Sequence, residues 1–193
     1  MLKNQSLSII KKVFSIGFSA FLFGTGASVL APKPSVSQGI FEYQWDPEPG
    51  YKQLKYYQSS SERLERSTYY LFLRGKERKE DITKLTVTVP DYFDAKIKSE
   101  KLRLCKVKRG GFTGRTRCLA NVPSVIDINN SQTLIEISPE RAIPLNKDSY
   151  ALVMKIFNPR KRGMYQFQAI SQSKRPGEVP ISTYLGTWNI DVQ

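Results

Sequence analysis

From Thr68 to the C-terminus the sequence breaks into short apolar or alternating runs, each closed by a turn signal. That spacing constrains the fold more than any other feature. "YYLFL" (residues 69–73) gives way to the charged loop "RGKERKED". "LTVTV" (85–89) puts Leu85, Val87 and Val89 on one face and stops at Pro90. "SVIDI" (124–128) and "TLIEI" (133–137) flank "NNSQ", which reads as a hairpin turn. "YALVMKIF" (150–157) ends at Asn158-Pro159, "MYQFQAI" (164–170) runs out toward Pro176-Gly177, and "YLGTWNIDV" (184–192) closes the chain. Together with two arms around the cysteines these make eight or nine strands with little helical periodicity and no internal repeat. The expectation is an all-β, antiparallel β-sandwich, Ig-like or related, over residues 68–193.

Upstream, residues 38–67 read as an irregular lead-in punctuated by Pro47, Pro49 and Gly50. Ser59 and Glu62 have capping-box spacing, which predicts one short helix over 59–66. Residues 1–37 carry Lys3, Lys11 and Lys12 ahead of the apolar run "VFSIGFSAFLFGTGASVLA", the layout of a signal peptide. Small residues suggest cleavage after Ala27 or Ser37; the alternative is an uncleaved membrane anchor, because the run is nearly long enough to span a bilayer. Either way the rest of the chain is expected outside the cytoplasm.

Composition then narrows the chemistry. The 193 residues are 40% apolar and 24% charged, enough for a core, and contain no histidine. A Ser-His-Asp triad, a Cys-His pair and a His-bound zinc are therefore excluded. Residues 1–37 hold four of the 30 Lys and Arg and none of the 17 acids, so 26 bases against 17 acids leave the remainder at net +9. An exported domain this basic is expected to meet an anionic partner: lipid headgroups, acidic polysaccharide or an acidic protein face.

The only two cysteines, Cys105 and Cys118, enclose five bases, three glycines and no acid. An exported chain with two nearby cysteines pairs them. If they face each other across a hairpin, Lys106 meets Arg117 and Lys108 meets Arg115, with all four on one face and Arg109 at the tip. Each like-charge pair costs about 0.2–1 kcal/mol, whereas closing a loop of this length contributes about 3 kcal/mol. The bridge wins and can hold a basic finger folded. Lys106, Lys108, Arg109, Arg115 and Arg117 are therefore the anion-binding candidates, with Phe112 as an aromatic at the tip. The bland alternative is a solvated hairpin whose charges prevent edge pairing. Arg160, Lys161 and Arg162 form a second basic run, which adds to the same surface only if the fold brings it near.

Other chemistry is thin. The carboxylates Asp91 and Asp94, Glu136 and Glu140, and Glu77, Glu80 and Asp81 are scattered, with no marked pair for glycoside hydrolysis. "DINNS" lacks the glycine and glutamate of a calcium loop. No metal or other cofactor is implied. Trp188, in an apolar strand, is expected in the core; Trp45 in "QWDPEPG" is a candidate exposed ring.

The segments "VTVPDYF", "SPERAIPLNKDSYALVMKIFNP", "NPRKRGMYQFQAIS" and "STYLGTWNIDV" resemble a family of exported cyanobacterial proteins catalogued as domain of unknown function 2808. The resemblance runs from about Tyr69 to the end. It implies a signal peptide and a small β-rich domain in the periplasm, cell envelope or thylakoid lumen, and no activity or site residues. The functional expectation is a non-enzymatic binding or envelope module. Its rivals are a two-carboxylate glycan hydrolase and an accessory subunit of a membrane complex. Nucleic acid is the weakest partner, because export removes it.

Overall fold

The structure, a computed structural model, describes residues 52–111, 114–173 and 179–193. The expected leader and Trp45 lie outside the described residues. Among the described residues ten strands form two five-stranded antiparallel sheets. The first has the order β1-β2-β8-β4-β5: β1 Tyr56–Gln58, β2 Arg66–Leu73, β8 Ser149–Phe157, β4 Leu102–Lys108 and β5 Arg117–Val122. The second has the order β10-β9-β3-β7-β6: β10 Ile181–Val192, β9 Gly163–Ser173, β3 Lys84–Thr88, β7 Leu134–Pro139 and β6 Ser124–Ile128. The antiparallel sandwich read from the sequence is therefore present, with one strand more than expected.

Period-two patterning decides which side chains meet between the sheets. Tyr69, Leu71 and Leu73 from β2 face Leu85 and Val87 from β3 and Tyr165, Phe167 and Ala169 from β9 in one dry core. Phe93 sets its ring edge-on against Tyr165 and Phe167, each at 5.0 Å between centroids. β8 lies between β2 and β4 and is buried on both faces from Tyr150 to Met154, hence its continuous apolar run. Trp188 is fully buried, as expected, and its indole N–H donates to the Phe72 carbonyl at 3.2 Å.

The extra strand is β1, inside the segment read as irregular. It pairs with β2, and Leu54 just before it is buried against the core. Gln53 bridges in parallel to Thr187 of β10, so the chain reaches β1 by crossing that edge. Gly186 permits this crossing: its φ is +145°, and any Cβ there would collide with the Lys52 carbonyl and Leu54.

The predicted helix over 59–66 is absent; the segment is the β1–β2 turn. The Ser59 hydroxyl accepts from Thr68 N–H instead of capping a helix, and Asn158 claims the carbonyls of the turn. The Asn158 side-chain amide donates to Ser60 O at 3.0 Å and Glu62 O at 2.6 Å, and its oxygen accepts from the Tyr69 phenol. Long-range bonds to a buried amide outcompete one turn of helix, which is costly to nucleate.

Burial raises the pKa of Tyr69, Tyr56 and Tyr165 above the ordinary phenol value. A raised folded-state pKa gives stability that is complete below the unfolded value, about pH 10, and lost as pH rises above it. The expected result is a flat unfolding free energy through neutral pH and a steep fall above about pH 10, tracking phenolate absorbance. A fall that begins near neutrality would contradict it.

Candidate functional site

The two cysteines are bonded, with Cα atoms 5.6 Å apart. The register differs from the expected one. Leu104, Cys105 and Lys106 face Val122, Asn121 and Ala120; the pairing then shifts, so that Val107 faces Cys118 and Lys108 faces Arg117. Leu119 is the extra residue, bulged from β5 and exposed. The reason lies in the core. An unshifted ladder through Val107 and Cys118 would set Asn121 opposite Leu104, facing the interior. The bulge sets Val122 there, packed against the core. The disulfide is consequently diagonal, from Cys105 to the residue facing Val107.

This correction redistributes the charge. Only Lys108 and Arg117 are direct like-charge neighbours, not two pairs. Lys106 faces Ala120 and makes an ion pair with Asp148 at 2.7 Å, and that hydrogen bond raises the lysine's pKa. Arg109 and Arg115 lie beyond the ladder. Lys108, Arg109, Arg115 and Arg117 are all exposed, and among the described residues no acid pairs with them. Backbone bonds between Gly111 and Gly114 close the finger; Phe112 lies outside the described residues.

Arg160, Lys161 and Arg162 do not join this surface. They follow Phe157 at the far end of β8, whereas the finger leaves the sheet beside Ser149. Nine residues of β8 separate the two ends, about 26 Å at about 3.3 Å per residue. Their turn is fastened locally, with Asp94 accepting from Arg160 N–H and Tyr165 O–H donating to Lys161 O.

The fold brings other cations to the finger instead. A cleft of about 540 Å³ is lined by Arg74, Gly75, Lys76, Arg109, Asn146, Lys147 and Ser149. Arg78 builds its wall. The side chain is only 3% exposed; Nη1 donates to Leu73 O at 2.7 Å, and Nη2 lies 3.0–3.2 Å from the carbonyls of Pro144, Asn146 and Asp148. Its guanidinium stacks on Tyr150 at 4.9 Å, and burial lowers its pKa. Gly75 sits against the backbone of Asn146 and Lys147 so closely that a Cβ would collide. The sequence hid this cluster, since "RGKERKED" reads as a solvated run and Lys147 is remote in the chain.

Carboxylates near the cleft are engaged. Glu77 accepts from Arg74 Nε at 2.6 Å and from Arg74 N–H at 2.7 Å, and Asp148 holds Lys106. Elsewhere, Asp127 and Glu136 are cross-strand neighbours, but Asp127 is exposed on an edge strand and Glu136 pairs with Lys84 at 2.6 Å. No helix among the described residues is long and apolar enough to cross a membrane.

Fold and site together define a disulfide-stapled, antiparallel β-sandwich domain with a basic finger. Residues 41–192 match the family DUF2808, described as a protein of unknown function, and the chain belongs to that family. The match takes in β1 and the lead-in before it, upstream of the segments from Tyr69 onward that carry the resemblance.

Comparison with the curated proteins finds no match. Among solved structures, the bacterial hydrophobin BslA is 16% identical, covering 73% of this chain and 91% of its own, with a TM-score of 0.46. The collagen-binding domain of a Staphylococcus aureus adhesin is 12% identical, covering 72% and 95%, with a TM-score of 0.40. The collagen-binding subdomain of the Enterococcus faecalis surface protein ACE is 9% identical, covering 75% and 99%, with a TM-score of 0.42.

Proposed function

We propose that this chain is an exported, non-enzymatic module that contacts an anionic surface of the cell envelope through its disulfide-closed finger. One observation carries the reading. After Asp148 takes Lys106, four exposed cations, Lys108, Arg109, Arg115 and Arg117, remain on a loop closed over 13 residues, and the sequence between its cysteines holds no acid. Concentrating like charge is unfavourable. The staple offsets that cost and keeps the charges presented together, which suits recognition of a polyanion better than solubility alone. The reading places the domain in the periplasm, envelope or thylakoid lumen, where a disulfide persists.

The test is co-sedimentation with anionic vesicles and with acidic polysaccharide across a salt series. Between about 0.01 M and about 1 M salt the Debye length falls from about 30 Å to about 3 Å. Binding is expected to weaken by an order of magnitude or more over that range. It is also expected to be largely lost when Lys108, Arg109, Arg115 and Arg117 are changed to Ser. Salt-independent binding, or no loss in the variant, would sink the reading.

A further inference from the structure

We propose that the cleft beside the finger base is a binding site for a phosphate ester. This rests on the anion-binding reading and names the group recognised. Three segments distant in sequence converge there: the 3-10 turn after β2 brings Lys76, the β7–β8 loop brings Lys147, and the finger brings Arg109. Lys76 and Lys147 are neighbours because Gly75 packs directly on the Asn146 and Lys147 backbone. Of the acids nearby, Glu77 is held by Arg74, Asp148 by Lys106, and Asp81 accepts from Leu145 N–H at 2.6 Å. Lys76, Lys147 and Arg109 have no ion-pair partner among the described residues and are exposed around one volume, which Ser149 also lines.

The walls are set before any ligand arrives. Arg78 ties the β7–β8 loop to the end of β2 through three carbonyls of the loop and that of Leu73, and the doubly bonded Glu77 fixes the turn that carries Lys76. Preorganised donors bind at low ordering cost. A single carboxylate would be satisfied by one guanidinium, as in a bidentate pair. Three cations from three segments fit a group with two negative charges spread over several oxygens, and the cleft volume leaves room for the alcohol it esterifies.

The experiment is titration calorimetry of the full chain with glycerol 3-phosphate and, at matched ionic strength, with glycerate. A second arm uses vesicles containing phosphatidic acid. Glycerol 3-phosphate is expected to bind about tenfold or more tightly than glycerate, and the Lys76→Ser, Lys147→Ser double variant to lose about tenfold or more of that affinity. The Lys108→Ser, Arg117→Ser variant is expected to keep it. Retention of glycerol 3-phosphate with loss of polyanion binding in that variant separates the cleft from the finger. Binding of phosphatidic-acid vesicles through the same lysines would identify a lipid headgroup as the source; binding of the free ester alone would identify a soluble or glycan-borne ester. Equal affinity for glycerate, no measurable binding of either phosphate, or an unaffected Lys76, Lys147 double variant with native circular dichroism would overturn the proposal.

Discussion

Replacing Arg78 with Leu is expected to lower the unfolding free energy by about 3–5 kcal/mol, because several carbonyls would lose a charged donor at once. The guanidinium reaches Leu73, Pro144, Asn146 and Asp148, and Tyr150 covers its flat face. An unmade bond to a buried acceptor costs about 1–3 kcal/mol. Water entering from the rim would hydrate part of the set, which keeps the total well below the sum of separate bonds. Equilibrium urea denaturation of wild type and variant measures the difference. Arg78→Lys is the informative companion: a point charge cannot span carbonyls on both β2 and the β7–β8 loop, so it should recover less than half of the loss. An unchanged denaturation midpoint in Arg78→Leu would show that the β7–β8 loop does not depend on the arginine.

The second large effect is removal of the staple. Changing Cys105 and Cys118 together to Ala is expected to cost about 3 kcal/mol, the loop-closure contribution for a crosslink of this span. The loss should be accompanied by weaker polyanion binding at unchanged net charge. That combination separates presentation of the cations from their mere presence. A variant that is destabilised yet binds as well as wild type would show that the finger needs no constraint to act.

Much of this architecture was legible. β3, β6, β7, β9 and β10 alternate or run apolar between strong turn signals, and the "NNSQ" turn closes β6 and β7 where its residues said it would. Asn129 accepts from Leu134 N–H, and Gln132 adopts a φ of +57° there. What escaped has a common cause, namely that it is decided by partners distant in sequence. β1 has three residues and no pattern of its own; it exists because β2 offers an edge and the core accepts Leu54. The bulge at Leu119 is invisible to a symmetric pairing rule, because the need to turn Val122 inward comes from the other sheet. Arg78 looked like one more solvated base until the β7–β8 loop was placed around it. The separation of Arg160, Lys161 and Arg162 from the finger is likewise a matter of strand direction, which local sequence does not state.

The diagonal bridge has a chemical corollary. Cys105 is wholly buried among Phe72, Val107, Ala151 and Val153, whereas Cys118 is partly open to solvent. An incoming thiolate can therefore approach in line only at the Cys118 sulfur and must expel Cys105 as an anion into dry surroundings, where it is a poor leaving group. Small reductants should open this crosslink slowly in the native protein, and a compartment that cycles its exposed disulfides would leave this one oxidised.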